Sequence, residues 1–344
     1  MTRYDGKAYK AEFFDRAFNF TFFTVIDEPE ILFDYLTLDK TSLVIPRIAD
    51  ISRGWYCHIT RGAAVVYQGI VSGTDTGKSV TTVQLSPLLS LFDFQFFYNR
   101  KTYNSNKSDL EGWMRARLLN AFAGSDSVQN IPGLTVTAAT HTDGVDLHLK
   151  DNIHDFWELA RTAIQTAKIA IGCDFNPQSK TISVVIKNHS AESEITLEAD
   201  LSNISDQKFT LRDNYGAVNK VIIYNAGNPS ESQTFYASGY AAPTVQRVAE
   251  VSVSDGETFS TVAREKSAEL MRGSDANELI ELTFRSDDRI IPGIGIGAPV
   301  RILKAGKVYH SVLTGFSLKG GQKTCIFGGV RVDLSKRLKL KGAI

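Results

Sequence analysis

Apolar and polar positions alternate with a period of two through most of the first hundred residues, the pattern of half-buried strands. Phe18, Phe20 and Phe22 alternate with Asn19 and Thr21 and predict one such strand. Residues 27–30, "DEPE", break the pattern, and "ILFDYLTLDKTSLVIP" offers two short strands separated by Asp39 and Lys40. Residues 54–73, "GWYCHITRGAAVVYQGIVSG", read as a hairpin in which Cys57 and Ile59 share one face and Tyr56 and His58 the other. A turn over residues 74–78 and the strand "SVTTVQLS" follow. Short strands at this regular spacing suggest a small antiparallel barrel or sandwich.

Beyond residue 100 the period changes. Residues 108–124, "SDLEGWMRARLLNAFAG", predict a helix: Ser108 and Glu111 form a capping box, and Gly124 follows the last turn. Trp113, Arg117 and the run from Leu118 to Phe122 fall at helical spacing. "LTVTAATHTDGVDLHLK" predicts a β-hairpin turning at Asp143-Gly144. A second helix is expected over "NIHDFWELARTAIQTAKIAIG", with Asn152 as cap and Ile153, Trp157, Ala160 and Ile164 as its apolar stripe. "TISVVIKN" is a strand. Strands return in "ITLEADLSNIS", "FTLRD" and "NKVIIYNAG", and "NPSESQTFYASGYAAPT" reads as a long loop or a loosely held hairpin. Ser254 with Glu257 opens a third helix that Gly273 closes, and "ANELIELTFRSDD" begins a last run of strands.

That run leads to a second hairpin, "GAPVRILKAGKVYHSVLTG" at residues 297–315, which resembles the first. Gly54 aligns with Gly297 and Ile59 with Ile302; after one extra residue in the first turn, Val66-Tyr67 aligns with Val308-Tyr309 and Gly73 with Gly315. Apolar parity agrees, Cys57 and Ile59 matching Val300 and Ile302. Hairpins reuse the same turn and strand residues, so the likeness fits either a duplicated β-domain or two hairpins of separate origin. The predicted fold is α+β and β-rich, with two similar antiparallel β-barrel domains and interleaved α+β segments. The expected boundaries are a first barrel over residues 1–99, an α+β domain over 100–190 plus 245–278, and a second barrel over 191–244 plus 279–335. A basic C-terminal tail over 336–344 is expected to be solvated.

With 344 residues the chain suits more than one core. Lys+Arg and Asp+Glu are both 38, so no net field favours nucleic acid or an anionic membrane. Cys57, Cys173 and Cys325 are odd in number and far apart, which argues for reduced, buried thiols and against a disulfide framework. The N-terminus lacks the pattern of a secretory signal, and no apolar run reaches the ~20 residues of a membrane-spanning helix.

No catalytic constellation stands out. His141 lies opposite Asp146 in the hairpin register set by Asp143-Gly144, so a metal pair is conceivable, but cross-strand charge pairs are ordinary sheet stabilisers and no third ligand is placed. Cys57 and His58 are neighbours on a strand and point to opposite faces, while nothing fixes Cys173 beside His189. "GIGIG" at residues 293–297 opens a strand and lacks the helix N-terminus of a phosphate site. The aromatic run "LSLFDFQFFYNRKTYN" reads as a domain junction, with a sugar-stacking platform as the competing reading. The expectation is no enzyme, no cofactor and no metal.

In the segments "LFDYLTLDKTSLVIP", "YQGIV…VQLSPLLSLFD", "NKVIIYN", "GKVYHSVLTGFSLKGG" and "FGGVRVDLSKRLK" the chain resembles the baseplate hub, or tail-associated, proteins at the tip of long-tailed bacteriophages. Its order of segments is similar to the hubs of contractile tails and type VI secretion spikes. The resemblance implies two related barrels per subunit and three subunits in a ring of six barrels, a symmetry adaptor between a hexameric tail tube and a three-fold tip. It implies a virion protein of the tail tip, made in the host cytoplasm, that takes part in host attachment and DNA delivery. Its expected partners are two further copies of itself, the distal tail protein ring and the tape-measure protein, with a tail fibre or receptor-binding protein as a further one. Neither sequence-specific nucleic-acid binding nor a membrane segment is expected. The candidate assembly residues are Tyr56, His58, Tyr67, Arg301, Tyr309 and His310. Many members of that family continue into a peptidoglycan-degrading domain or a fibre-like extension. This sequence ends at Ile344, so lytic function is not carried over. The alternatives are a cell-wall hydrolase working through His141, Asp146 and Cys173, and a host-wall glycan-binding module.

Overall fold

The computed structural model describes residues 8–27, 29–34, 38, 40–93, 96–99, 103–104, 109–124, 130–139, 148–149, 152–157, 160, 163–164, 169–188, 193–200, 202–211, 220–236, 248–253, 259–260, 263–264, 267, 278–285, 295–319 and 321–328. The fold is β-rich α+β, with two curled sheets as its main bodies. Two compact units divide the chain: Met1–Gln207 with Glu281–Ile344, and Lys208–Ile280.

The N-terminal strands are β1 (Tyr9–Phe14), β2 (Phe20–Ile26), β3 (Ile31–Asp34), β4 (Thr41–Ile45), β5 (Tyr56–Arg61), β6 (Ala64–Thr76) and β7 (Thr81–Pro87). All except β3 form one antiparallel sheet in the order β2-β1-β5-β6-β7-β4. Period-two alternation sends Ala11, Phe13, Leu43, Ile45, Cys57, Ile59, Val83 and Leu85 to one buried face, the core of the first barrel. Arg47, just after β4, donates to the Phe23 carbonyl of β2 at 2.9 Å and stacks its guanidinium 4.3 Å from the Phe22 ring, so the two edges of the sheet are drawn together. The expected alternation of Phe18, Phe20 and Phe22 does not survive. The β1–β2 register shifts between Phe13 and Phe14, pairing Phe13 with Phe22 and Phe14 with Phe20. The bulge leaves Phe20 54% exposed, and Phe18 is buried from a turn with φ of 62° instead of from a strand.

The middle segment contains a 3-10 turn at Leu88–Phe92, then β8 (Phe96–Asn99), β9 (Tyr103–Asn104), α1 (Leu110–Phe122), β10 (Leu134–Ala138), β11 (His148–Leu149), β12 (Asn152–Asp155), β13 (Ile169–Asn176) and β14 (Thr181–Asn188). The cap of α1 is Asp109, whose carboxylate accepts the Gly112 amide at 2.9 Å; the expected cap Ser108 lies outside the described residues. Leu110, Met114, Leu118, Ala121 and Phe122 of α1 are buried with helical Phe156, Trp157, Ala160, Ala163 and Ile164. Asn152 is no helix cap: it starts β12, which pairs antiparallel with β8, and helix begins only at Phe156. The expected helix also stops sooner, because Ile169 to Asn176 form β13. β10 pairs in parallel with β14 and β11 pairs with β9, while the turn carrying His141 and Asp146 lies outside the described residues.

The remaining strands are β15 (Ile195–Glu198), β16 (Ile204–Leu211), β17 (Lys220–Asn225), β18 (Asn228–Tyr236), β19 (Val248–Val253), β20 (Glu278–Arg285), β21 (Pro299–Lys304), β22 (Lys307–Lys319) and β23 (Gln322–Gly328). The second large sheet runs β15-β21-β22-β23-β20-β16. It borrows a strand from the N-terminal segment: β3 pairs antiparallel with β22, Phe33 opposite Phe316 and Ile31 opposite Leu318. The two rings stack at 5.7 Å and 15°, and Leu318 is buried with the first barrel's core, so the two curled sheets interlock.

In the smaller unit β18, β17 and β19 form a sheet, with β17 antiparallel to β18 and parallel to β19. Val221 and Ile223 pack with Phe259 and Ala263, two of the residues of the expected third helix. Of the two readings of residues 228–236, long loop or loosely held hairpin, strand is found: Asn225 accepts the Gly227 amide at 2.9 Å and tightens the β17–β18 turn, which lets a polar segment pair along its length.

Candidate assembly surface

The two hairpins agree in detail far beyond their shared residues. Gly54 and Gly297 enter them with φ of 87° and 82°, a backbone state that favours glycine. The Gly54 amide donates to the Val71 carbonyl at 2.8 Å, and the Val71 amide to Trp55; Gly297 and Leu313 repeat this at 2.9 Å, with Leu313 donating to Ala298. Both return strands break register at the equivalent place, between Val71 and Gly73 and between Leu313 and Gly315. Each bulged residue carries a hydroxyl, but the partners differ: Ser72 donates to the Gln84 carbonyl at 3.2 Å, whereas Thr314 lies 3.2 Å from the equivalent Ile326 carbonyl and donates to the Gly328 carbonyl at 2.8 Å. The extra residue of the first hairpin sits in a bulge at Val66, not in the turn: Ile59 faces Tyr67, whereas Thr60 faces Val65.

Cross-strand pairing sorts the candidate residues by face. Tyr67 lies opposite Ile59 and Tyr309 opposite Ile302, so both tyrosines are on the core side; Tyr67 is buried and Tyr309 half-buried. Tyr56, His58, Arg301 and His310 are on the outer side, His58 facing Gln68 and Arg301 facing His310.

The outer face of the first hairpin is already covered. Tyr56 stacks on Phe175 of β13 at 4.9 Å and 22° and lies against Phe18 at 5.1 Å; burial pushes its phenol up to about 12. Gln68 grips the backbone of Phe175 with both ends of its amide, donating to the carbonyl at 2.7 Å and accepting the amide at 2.8 Å. His58, between Glu12 of β1 and Gln68 of β6, has both ring nitrogens buried without a hydrogen bond, and burial lowers its pKa. On the second hairpin the equivalent residues Arg301 and His310 are exposed, and the Nδ1 of His310 is hydrogen-bonded to the Glu194 carboxylate at 2.7 Å. One repeat therefore spends this face inside its own chain, and the other presents it to solvent. Sequence reading missed Gln68, Phe175 and Glu194, since each acts on a residue more than a hundred positions away.

The cysteines are poorly placed as nucleophiles. Cys57 and Cys325 are buried and Cys173 is half-buried; all three are free. Desolvation raises the thiol pKa of Cys57 and Cys173 and pushes that of Cys325 up to about 11, so little thiolate is present near neutrality.

No protein-family model and no curated protein matches the sequence. Among solved structures, the chain is similar to the tail protein from Neisseria meningitidis, with TM-score 0.60 and 16% identity over 93% of this chain and 96% of that one. It is similar to the 43 kDa tail protein of prophage MuSo2 from Shewanella oneidensis, with TM-score 0.61 and 13% identity over 94% and 98% of the two chains. It is also similar to a chain of the phage P2 baseplate in its activated conformation with Ca, with TM-score 0.50 and 12% identity over 94% and 99%. The chain therefore has the fold shared by these two tail proteins and a phage baseplate protein.

Proposed function

We propose that the chain is a structural tail protein, the baseplate hub at the distal end of the tail tube. Three copies form a ring of six barrels that adapts a hexameric tube to a three-fold tip, serving host attachment and DNA delivery from within the virion. The observation that carries this reading is the repeated hairpin geometry, down to the glycine entry and the bulge. Two equivalent barrels in one chain turn three-fold into pseudo-six-fold symmetry, and a closed ring needs surfaces that meet head to tail. The similarity to tail and baseplate structures supports it, and the desolvated cysteines fit a protein that performs no catalysis. Its neighbours in the tail are the distal tail protein ring, the tape-measure protein, and a fibre or receptor-binding protein. The proposed domains are a first barrel over 1–99, a second over 191–244 plus 279–335, and α+β segments over 100–190 plus 245–278, with β17, β18 and β19 forming a sheet of their own that the second barrel's sheet does not include.

Arg301 and His310, exposed side by side on the second hairpin, are the proposed ring-contact residues. Arg301→Glu reverses a solvent-facing charge and leaves the monomer's unfolding midpoint within error. It abolishes infectious tails, because one weakened junction repeated three times opens the ring. Normal tails carrying Arg301→Glu refute the contact assignment.

A further inference from the structure

The repeat also exposes an edge. In the second sheet one edge of β22 is filled twice, by β21 along its first half and by β3 along Gly315 to Leu318. In the first sheet the equivalent edge of β6 is filled by β5 only as far as the Gly54–Val71 contact, and among the described residues nothing pairs with it along Gly73 to Thr76. Those residues are held by β7 on the other side alone. Gly77 donates to the Val80 carbonyl at 2.9 Å, so 77/80 is a hydrogen-bonded pair. Antiparallel alternation then turns the amide and carbonyl of Thr74 and of Thr76 away from β7, toward the open edge.

The glycines carry a second, independent observation. A Cβ on Gly315 would lie 2.9 Å from the Phe33 carbonyl, so glycine is required there by the strand that lies alongside. A Cβ on Gly73, its repeat equivalent, would meet nothing within 4 Å, and Gly73 has no positive φ to demand glycine. Among the described residues nothing gives Gly73 a reason to lack a side chain. Exposed edges are ordinarily guarded by charged side chains, proline or a bulge; here a bulge precedes Gly73 and Asp75 lies within the edge, while the outward-bonding residues are two threonines, good strand formers.

We infer that the edge Gly73 to Thr76 of β6 is completed by an extended segment from a second copy of this chain, paired antiparallel as β3 pairs with β22. The inference rests on the ring proposed above. It names the junction through which the first barrel of one copy receives its neighbour, by the same strand addition that joins the two barrels within a copy. Gly73 admits the close approach of the incoming carbonyl, and Thr74 and Thr76 supply the backbone bonds.

The test uses the full chain with Gly73→Val and, separately, Thr74→Pro. Valine fills the approach path on a site open in the monomer, and proline removes an outward amide without touching the β7 ladder. Both should keep the wild-type circular dichroism and urea midpoint, and both should weaken self-association, read by sedimentation, by more than about tenfold. Gly315→Val, by contrast, should lower the midpoint of the monomer itself. A trimer formed equally well by both edge variants overturns the strand addition and leaves the ring standing. A two-fold dimer lost in the variants keeps the edge and overturns the ring. A wild-type chain that stays monomeric, alone and co-expressed with its tail partners, overturns both.

Discussion

Phe175→Ala removes the ring on which the first hairpin's outer face is built. Phe175 is 2% exposed and touches Tyr56 at 4.9 Å, Phe14 at 5.4 Å and Phe18 at 5.4 Å. Truncating a buried phenylalanine costs about 3–5 kcal/mol from lost transfer and the cavity left behind. The upper half of that range applies, because Gln68 fixes the Phe175 backbone from both sides and resists collapse into the space. Of the total, the Tyr56 pair supplies about 0.5–1.5 kcal/mol beyond burial, which a Tyr56→Ala/Phe175→Ala double-mutant cycle isolates. Urea unfolding of the full chain, followed by tryptophan fluorescence and circular dichroism, measures both quantities. A loss below about 0.5 kcal/mol, the scale of a surface substitution, or a coupling of zero would refute the reading that this face is spent on intrachain packing.

The remaining expectations concern titration and thiols. His58 is neutral in the fold because burial lowers its pKa, with Glu12 raising and Lys10 lowering it to a lesser degree. The unfolded chain therefore binds the extra proton first, and stability falls as pH drops from about 6.5 toward the lower folded value. His58→Gln should flatten that part of the stability–pH curve, and an unchanged slope counts against it. Cys57, Cys173 and Cys325 should react with iodoacetamide at neutral pH far more slowly in the folded than in the urea-unfolded chain. Replacing all three by alanine should cost some stability and leave self-association intact; loss of a measurable hydrolytic activity on that change would show that a thiol is catalytic.

Much of the sheet was legible because period-two patterning is a local signal. Cys57 and Ile59 face the core as their parity predicts, and the matched parity of Val300 and Ile302 announces the second hairpin. What was illegible depends on non-local partners. The bulge that exposes Phe20 arises from its pairing with β1, and Asn152 is held in a strand by β8 despite a sequence that suits a helix start. Nothing in residues 31–34 indicates that β3 leaves its neighbours for β22, nearly three hundred positions later. Gln68 likewise looks like one more polar residue on an alternating strand until Phe175 is beside it. Hairpin position alone points to the exposed pair Arg301 and His310 but cannot tell a covered face from a bare one.

The most direct measurement is the copy number and symmetry of this chain in an assembled tail, by electron cryomicroscopy. Three copies around the tail axis, showing six barrel densities with the two hairpins of each copy in equivalent places, are predicted. Six copies with one barrel each on the ring, or a two-fold pair, would contradict the hub.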